Sequence, residues 1–224
     1  MNTASFALAI FVKTPGLSPT KTRLAARLGS SQAEEFYFHS IACTREYVSA
    51  ACKQDPRICP YWAVAEDGAS HLWSGFPIVN QGSGHLGSRL SRVYNQLLGS
   101  HSWVFFIGAD SPHLAPELLV AAMQDTQTNH ADFVLGPTDD GGFYVFGGSQ
   151  PVSAAVWEHV PYSTSDTAHK LKHAVEKLGR LAELPKSFDV DEIEDLARLK
   201  SELRRRRSLL PGQKILLDWL ERLT

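Results

Sequence analysis

A chain of 224 residues with 43% apolar, 10% aromatic and 21% charged side chains is long enough for a substantial core, and its composition excludes the disordered, collagen-like and coiled-coil classes. A formal net charge of −2 sets up no general positive field, so binding to nucleic acid or to an anionic membrane is not expected and any anion site has to be local. Cys43, Cys52 and Cys59 form no Cys-x-x-Cys pair, which argues against a disulfide framework and a zinc site; the apolar run 6–12 is too short to span a bilayer, so a cytoplasmic protein is expected.

In chain order, the first apolar, β-rich run covers residues 6–12 and leads through a basic loop into helical residues 24–28. A long helix is predicted over 31–52, with Ser31 and Glu34 at capping-box spacing. Strands follow at 61–65 and 77–79, a helix at 86–98, the most hydrophobic strand at 103–107 and a helix at 116–127. Two further strands, 133–135 and 143–146, precede helices at 166–178 and 192–203, with residues 181–188 left undefined. Arg204–Arg207 falls at a helix end, where cations suit the dipole and remain solvated. Pro211-Gly212 is expected to break the chain before a last amphipathic helix over 215–223. The alternation predicts an α/β protein with a mainly parallel sheet. No repeat or linker divides it, so one domain over 1–224 is expected, with 211–224 packing back on it.

Three stretches carry candidate chemistry. The loop after the first strand holds Lys13, Lys21 and Arg23 with Pro15, Gly16 and Thr22, and a loop from a parallel strand into a helix N-terminus is where α/β folds take phosphates. It is not a Walker A loop, because Pro15 and Thr20 stand where that motif needs glycine. Asp110 follows the strand 103–107 at its carboxyl edge, suited to Mg²⁺ or Mn²⁺ or, more plainly, to a turn into Ser111-Pro112. Asp189 and Asp191 would face the same way in an extended segment and could grip one ion, although Asp191 could instead cap a helix with Glu194. Asp140, in Asp139-Asp140-Gly141-Gly142, could orient a hydroxyl or act as a base, and Ser163-Thr164 offers hydroxyls before a helix that Ser165 could cap. Gly82, Gly84 and Gly87 satisfy G-x-G-x-x-G and keep an NAD-binding oxidoreductase open as a rival. His169 and His173 lack the glutamate of a zinc-protease helix, since Lys170 follows the first histidine, and no G-x-S-x-G is present.

In order, Lys13…Pro15-Gly16…Lys21-Thr22-Arg23-Leu24, Leu86-Gly87…Arg89-Leu90, Gly108…Asp110-Ser111-Pro112, Gly136-Pro137…Asp140-Gly141-Gly142-Phe143-Tyr144, Ser163-Thr164 and Asp189-Val190-Asp191 resemble a bacterial family of small GT-A-fold nucleotide-diphospho-sugar transferases of the arsenosugar-biosynthesis type. That family is similar to 2-phospholactate and phosphoenolpyruvate guanylyltransferases. The resemblance implies a three-layer α/β/α sandwich with a mixed, mainly parallel sheet. It implies Asp110, Asp189 and Asp191 as ligands of Mg²⁺ or Mn²⁺. It implies a nucleotide or phosphate site at Lys13, Pro15, Gly16, Lys21, Thr22, Arg23, Gly87 and Arg89, and an acceptor side at Gly141, Gly142, Ser163 and Thr164. The chain departs from the family at His85 and Ser88, where relatives often carry acids.

The expected function is a metal-dependent glycosyl- or nucleotidyltransferase in which Asp110, Asp140 and Lys21 act at the reacting centre. Its partners would be a nucleotide or nucleotide-sugar donor and a small-molecule acceptor, with a homodimer allowed. A nucleotide sensor without turnover is a further alternative to the oxidoreductase.

Overall fold

Strands and helices alternate along the chain, which the computed structural model describes over residues 5–128 and 130–223. The strands are β1 (Phe6–Val12), β2 (Ile58–Val64), β3 (Ile78–Asn80), β4 (Trp103–Gly108), β5 (Phe133–Pro137), β6 (Phe143–Gly148) and β7 (Leu181–Glu183). They form one sheet in the order β3-β2-β1-β4-β6-β5-β7, in which β6 alone runs antiparallel to its neighbours. The helices are α1 (Thr22–Leu28), α2 (Ser30–Gln54), α3 (Leu86–Leu98), α4 (Pro116–Thr128), α5 (Ala154–His159), α6 (Thr167–Val175), α7 (Ile193–Arg205) and α8 (Pro211–Arg222).

The two-residue period of β1 sorts its side chains onto two faces. Phe6, Leu8, Ile10 and Val12 pack with Tyr47 and Val48 of α2 and Met123 of α4. Ala7 and Ala9 face a second core with Tyr94 of α3, Trp157 of α5 and Leu171 of α6. Helices therefore cover both faces, giving the expected α/β sandwich with its mixed, largely parallel sheet. A third cluster joins Leu24 and Phe36 to Leu196, Leu203, Leu216 and Trp219, tying α7 and α8 to the start of the chain.

Local departures from expectation have visible causes. α2 begins at Ser30 rather than at a Ser31 capping box, because Gly29, at φ 89°, serves two helices: its N–H donates to Ala25 and its carbonyl accepts from Ala33. Pro211 does not break the chain before the last helix but opens α8 at a position whose missing N–H is no loss. There the Gln213 amide donates to the carbonyls of Pro112 and Leu114, at 3.0 and 3.1 Å. β7 leaves no strand signature in the sequence because its three residues are not fully buried and carry a weak apolar signal.

In register, Phe11 stands beside Gly108 and Val12 beside Val64. The loops after β1 and β4 consequently emerge together at one carboxyl edge.

Candidate active site

The loop after β1 is pinned at Thr14, whose N–H donates to the Glu66 carboxylate at 2.7 Å and whose hydroxyl accepts from the Trp73 indole at 3.0 Å. It ends at Lys21, which takes a left-handed backbone conformation (φ 47°, ψ 44°) at the N-cap of α1. The Lys21 ammonium lies 2.5 Å from Asp110 and 2.9 Å from Asp191, and donates to the Val190 carbonyl at 2.6 Å. Its side chain is 2% exposed whereas the two carboxylates are 45% and 43% exposed, so the pair bonds form at the floor of an open cleft. Burial works against the Lys21 charge, but the Asp110 and Asp191 carboxylates outweigh it and hold the ammonium above the ordinary lysine pKa.

Distant segments meet here through backbone stitching. The Ser111 hydroxyl donates to the Phe188 carbonyl at 3.0 Å, and the Val190 N–H donates to the Asp110 carbonyl at 2.9 Å. Asp191 does not cap α7. Glu192 is the N-cap, and Asp195 accepts the N–H groups of Asp191 and Glu192 at 3.0 and 2.8 Å, which leaves the Asp191 carboxylate to Lys21. Phe188 in turn stacks on His113, ring centroids 4.0 Å apart and planes 9° from parallel, with the Arg198 guanidinium 4.0 Å from its ring. Burial, then the charges of Arg206 and Arg198, push the His113 pKa down to about 3.

Asp189 completes an acidic surface. Burial, followed by the charges of Asp140, Asp191 and Asp110, pushes its carboxyl up to about 7. Asp140 is oriented by its own turn: one oxygen accepts from the Thr138 hydroxyl at 2.6 Å and from the Gly142 N–H at 2.9 Å. Gly141 has φ +89°, and a Cβ there would stand 2.0 Å from the Ser165 carbonyl oxygen, so only glycine lets this turn close on the loop before α6. In that loop Ser163 is also left-handed, at φ 60°. Asp166, not Ser165, is the N-cap of α6.

Two cavities adjoin at this edge. One of about 450 Å³ is lined by Lys13, Lys21, Thr20, Thr22 and Tyr37 together with Asp110 and Asp191. The other, about 260 Å³, holds Asp110, Asp140, Asp189 and Asp191 against Phe143, Tyr162 and Ser163. The structure thus brings together Lys13, Lys21, Thr22, Asp110, Asp140, Gly142, Ser163, Asp189 and Asp191. It places others elsewhere. Arg23 is 60% exposed and lies 3.8 Å from Glu192 in a neighbouring acidic cavity. Pro15 lines a separate apolar pocket with Trp62 and Trp73. Gly16 sits in the turn of the same loop at φ 79°. The Thr164 hydroxyl donates to the Pro161 carbonyl within its own loop.

The G-x-G-x-x-G glycines have local reasons, a left-handed backbone at Gly82 and Gly84 and close packing at Gly87. They follow a three-residue strand at the sheet edge, and a Cβ on Gly87 would meet the Trp157 carbonyl oxygen at 2.5 Å. Gly82 would likewise strike Arg92, and Arg89 is spent on the Gly84 carbonyl and the Gln81 side chain. Missed from sequence were the Val190 carbonyl, Tyr37, whose hydroxyl accepts from the Lys13 N–H at 3.1 Å, and the aromatic lining. Tyr37 lies within a long helix and carries no local signal for this contact.

Asp110 and Asp191 already close on a cation, the Lys21 ammonium, and their hard oxygen donors suit Mg²⁺ or Mn²⁺. Among the described residues no three acidic, imidazole or thiol side chains are arranged around a common ion position, and the Lys21 ammonium pairs with two of the three expected aspartates.

Residues 48–164, just over half of the chain, match the family described as an uncharacterized protein conserved in bacteria, DUF2064. The chain belongs to this family. The matched span of this DUF2064 protein contains Asp110, Asp140 and Ser163, while Lys21, Asp189 and Asp191 lie outside it. No curated protein matches the sequence. Among solved structures, a Desulfovibrio desulfuricans G20 protein assigned as a nucleotide-diphospho-sugar transferase is 22% identical, with a TM-score of 0.81 over 97% of this chain and 96% of that one. The 4-diphosphocytidyl-2C-methyl-D-erythritol synthase of Anaerococcus prevotii DSM 20548 is 12% identical, TM-score 0.55, over 90% and 99%. Glucosyl-3-phosphoglycerate synthase of Mycobacterium tuberculosis, solved with Mn²⁺, uridine diphosphate and glucosyl-3-phosphoglycerate, is 11% identical, TM-score 0.52, over 87% and 75%. These likenesses give the DUF2064 protein the GT-A, nucleotide-diphospho-sugar transferase-like fold.

Proposed function

We propose that the protein is a transferase whose donor is a nucleoside triphosphate or a nucleotide sugar, bound at the carboxyl edge of β1 and β4. The observation that carries this reading is Lys21, a buried ammonium held at the N-cap of α1 by two carboxylates and facing, with Lys13, a cavity large enough for a diphosphate. Two ammonium groups favour a phosphate group there. The fold supports the reading, because the solved proteins with this architecture carry nucleotide-diphospho-sugar transferase and cytidylyl-synthase names.

Lys13 and Lys21 neutralise the charge that develops on the departing phosphates. Asp140, with one oxygen committed to Thr138 and Gly142, presents its other oxygen to a hydroxyl entering from the second cavity. Asp110, Asp189 and Asp191 are the residues that would hold Mg²⁺ or Mn²⁺. The ion, when bound, supplies further charge neutralisation and fixes the orientation of the diphosphate.

The test is a thermal-shift screen of nucleoside triphosphates and nucleotide sugars, with and without Mn²⁺, on the wild type, Lys21→Met and Asp110→Asn. A ligand present at ~100 times its Kd adds about 2.7 kcal/mol of stability, well above detection. The reading predicts a metal-dependent shift in the wild type that both variants lose, and it fails if no nucleotide shifts the wild type. Product analysis then separates nucleotidyl transfer, which releases pyrophosphate, from glycosyl transfer, which releases a nucleoside diphosphate.

A further inference from the structure

We infer that the acceptor carries no phosphate or carboxylate on the part that enters the second cavity: it is a neutral or cationic compound, bearing a hydroxyl or amine, with an apolar or aromatic body. The inference rests on the transferase reading and names the substrate class of that same site.

Charge distribution carries it. The donor-side cavity is lined by Lys13 and Lys21. The adjoining cavity is lined by Asp110, Asp140, Asp189 and Asp191, and among its described lining residues there is no lysine, arginine or histidine. The nearby cations are engaged outside it. Lys21 is fixed on Asp110, Asp191 and the Val190 carbonyl, Arg89 holds the Gly84 carbonyl, and Arg198 pairs with Asp139 at 2.7 Å. The four carboxylates outnumber the two charges of a divalent ion held by Asp110, Asp189 and Asp191, so an anionic group placed in this cavity would leave water for a surface of net like charge that offers it no cationic side chain. A cation or a neutral hydroxyl meets the reverse situation.

The remainder of the wall is built for an apolar body. Phe11 and Phe106 stand edge to face at 5.0 Å between centroids, and Phe143, Leu86 and Leu90 complete that side. Tyr162 adds ring surface to the same wall. The Asp140 oxygen not used by Thr138 and Gly142 accepts from a hydroxyl or amine on the acceptor.

A fragment series on one ring tests this: 2-phenylethylamine, 2-phenylethanol, phenylacetate and phenyl phosphate, each titrated against the full-length protein by ligand-detected NMR. The amine and the alcohol are expected to bind about tenfold or more tightly than either anion, a difference of about 1.4 kcal/mol. Asp140→Asn should narrow the preference of amine over alcohol. Equal or tighter binding of phenyl phosphate or phenylacetate overturns the inference, as does silence from both non-anionic fragments or a preference that Asp140→Asn leaves unchanged. Failure of the donor reading shows up separately, as the missing nucleotide shift in the absence of any fragment.

Discussion

Replacing His113 by phenylalanine should change how stability depends on pH, with a slope that can be worked out in advance. His113 is 4% exposed, stacks on Phe188 and places its Nε2 3.0 Å from the Ser187 hydroxyl. Its folded pKa is about 3, against about 6.5 in the unfolded chain. Between those values the unfolded state binds one proton that the native state refuses. His113 therefore lowers stability as pH falls through about 6.5 towards 3, by about 1.4 kcal/mol per unit. From neutral pH to about pH 5 the loss is about 2 kcal/mol. Phenylalanine keeps a ring on Phe188 but cannot be protonated, and its extra bulk and lost hydrogen bond shift stability by a pH-independent amount. Urea denaturation of both proteins at neutral pH and near pH 5 isolates the effect, because every other titrating group is common to the pair. The stability of the variant minus that of the wild type should rise by about 2 kcal/mol on acidification. A difference constant to within about 0.5 kcal/mol would refute the argument, since His113 would then take up its proton inside the fold.

Asp189 has the opposite sign. Its folded pKa near 7 exceeds the ordinary carboxylate value, so the native state holds the extra proton, and stability falls as pH rises from about 4 through 7. Asp189→Asn should thus raise Tm at pH above about 7 and lose that advantage near pH 4, as calorimetry would show; a Tm gain that does not depend on pH contradicts it. Gly141→Ala combines a left-handed backbone with a Cβ 2.0 Å from the Ser165 oxygen, and should cost a few kcal/mol in chemical denaturation while displacing Ser163. Wild-type stability in that variant would show that the loop before α6 yields freely.

Much of the sheet was legible because burial on two faces writes long apolar runs. β1 was found over its full length, and the run before Asp110 located the carboxyl edge, because both strands lie between others and carry helices on each side. Edge elements were harder. β7 and the six-residue α5 are short, and their stability comes from neighbours rather than from their own pattern. At the site, residue types were readable and pairings were not. Lys21 and Asp191 meet across 170 positions only because the Phe188 and Asp110 carbonyls are stitched to Ser111 and Val190. Arg23 resembled its two neighbouring cations in sequence, yet the turn of α1 sends it to the other side of Asp191. The glycines at 82, 84 and 87 show the converse, since a left-handed backbone at the first two and close helix packing at the third leave the same signature as a phosphate loop.

The position of β1 has a consequence for anyone dissecting this protein. The stretch by which the family is recognised, 48–164, omits the strand that lies between β2 and β4. Excised, it would be two half-sheets facing a gap, with raw edges on both sides and the charged centre stripped of three of its five members. Family membership here marks an interior slice of an inseparable whole. Truncation, permutation or domain grafting will have to carry both flanks of the chain along with it.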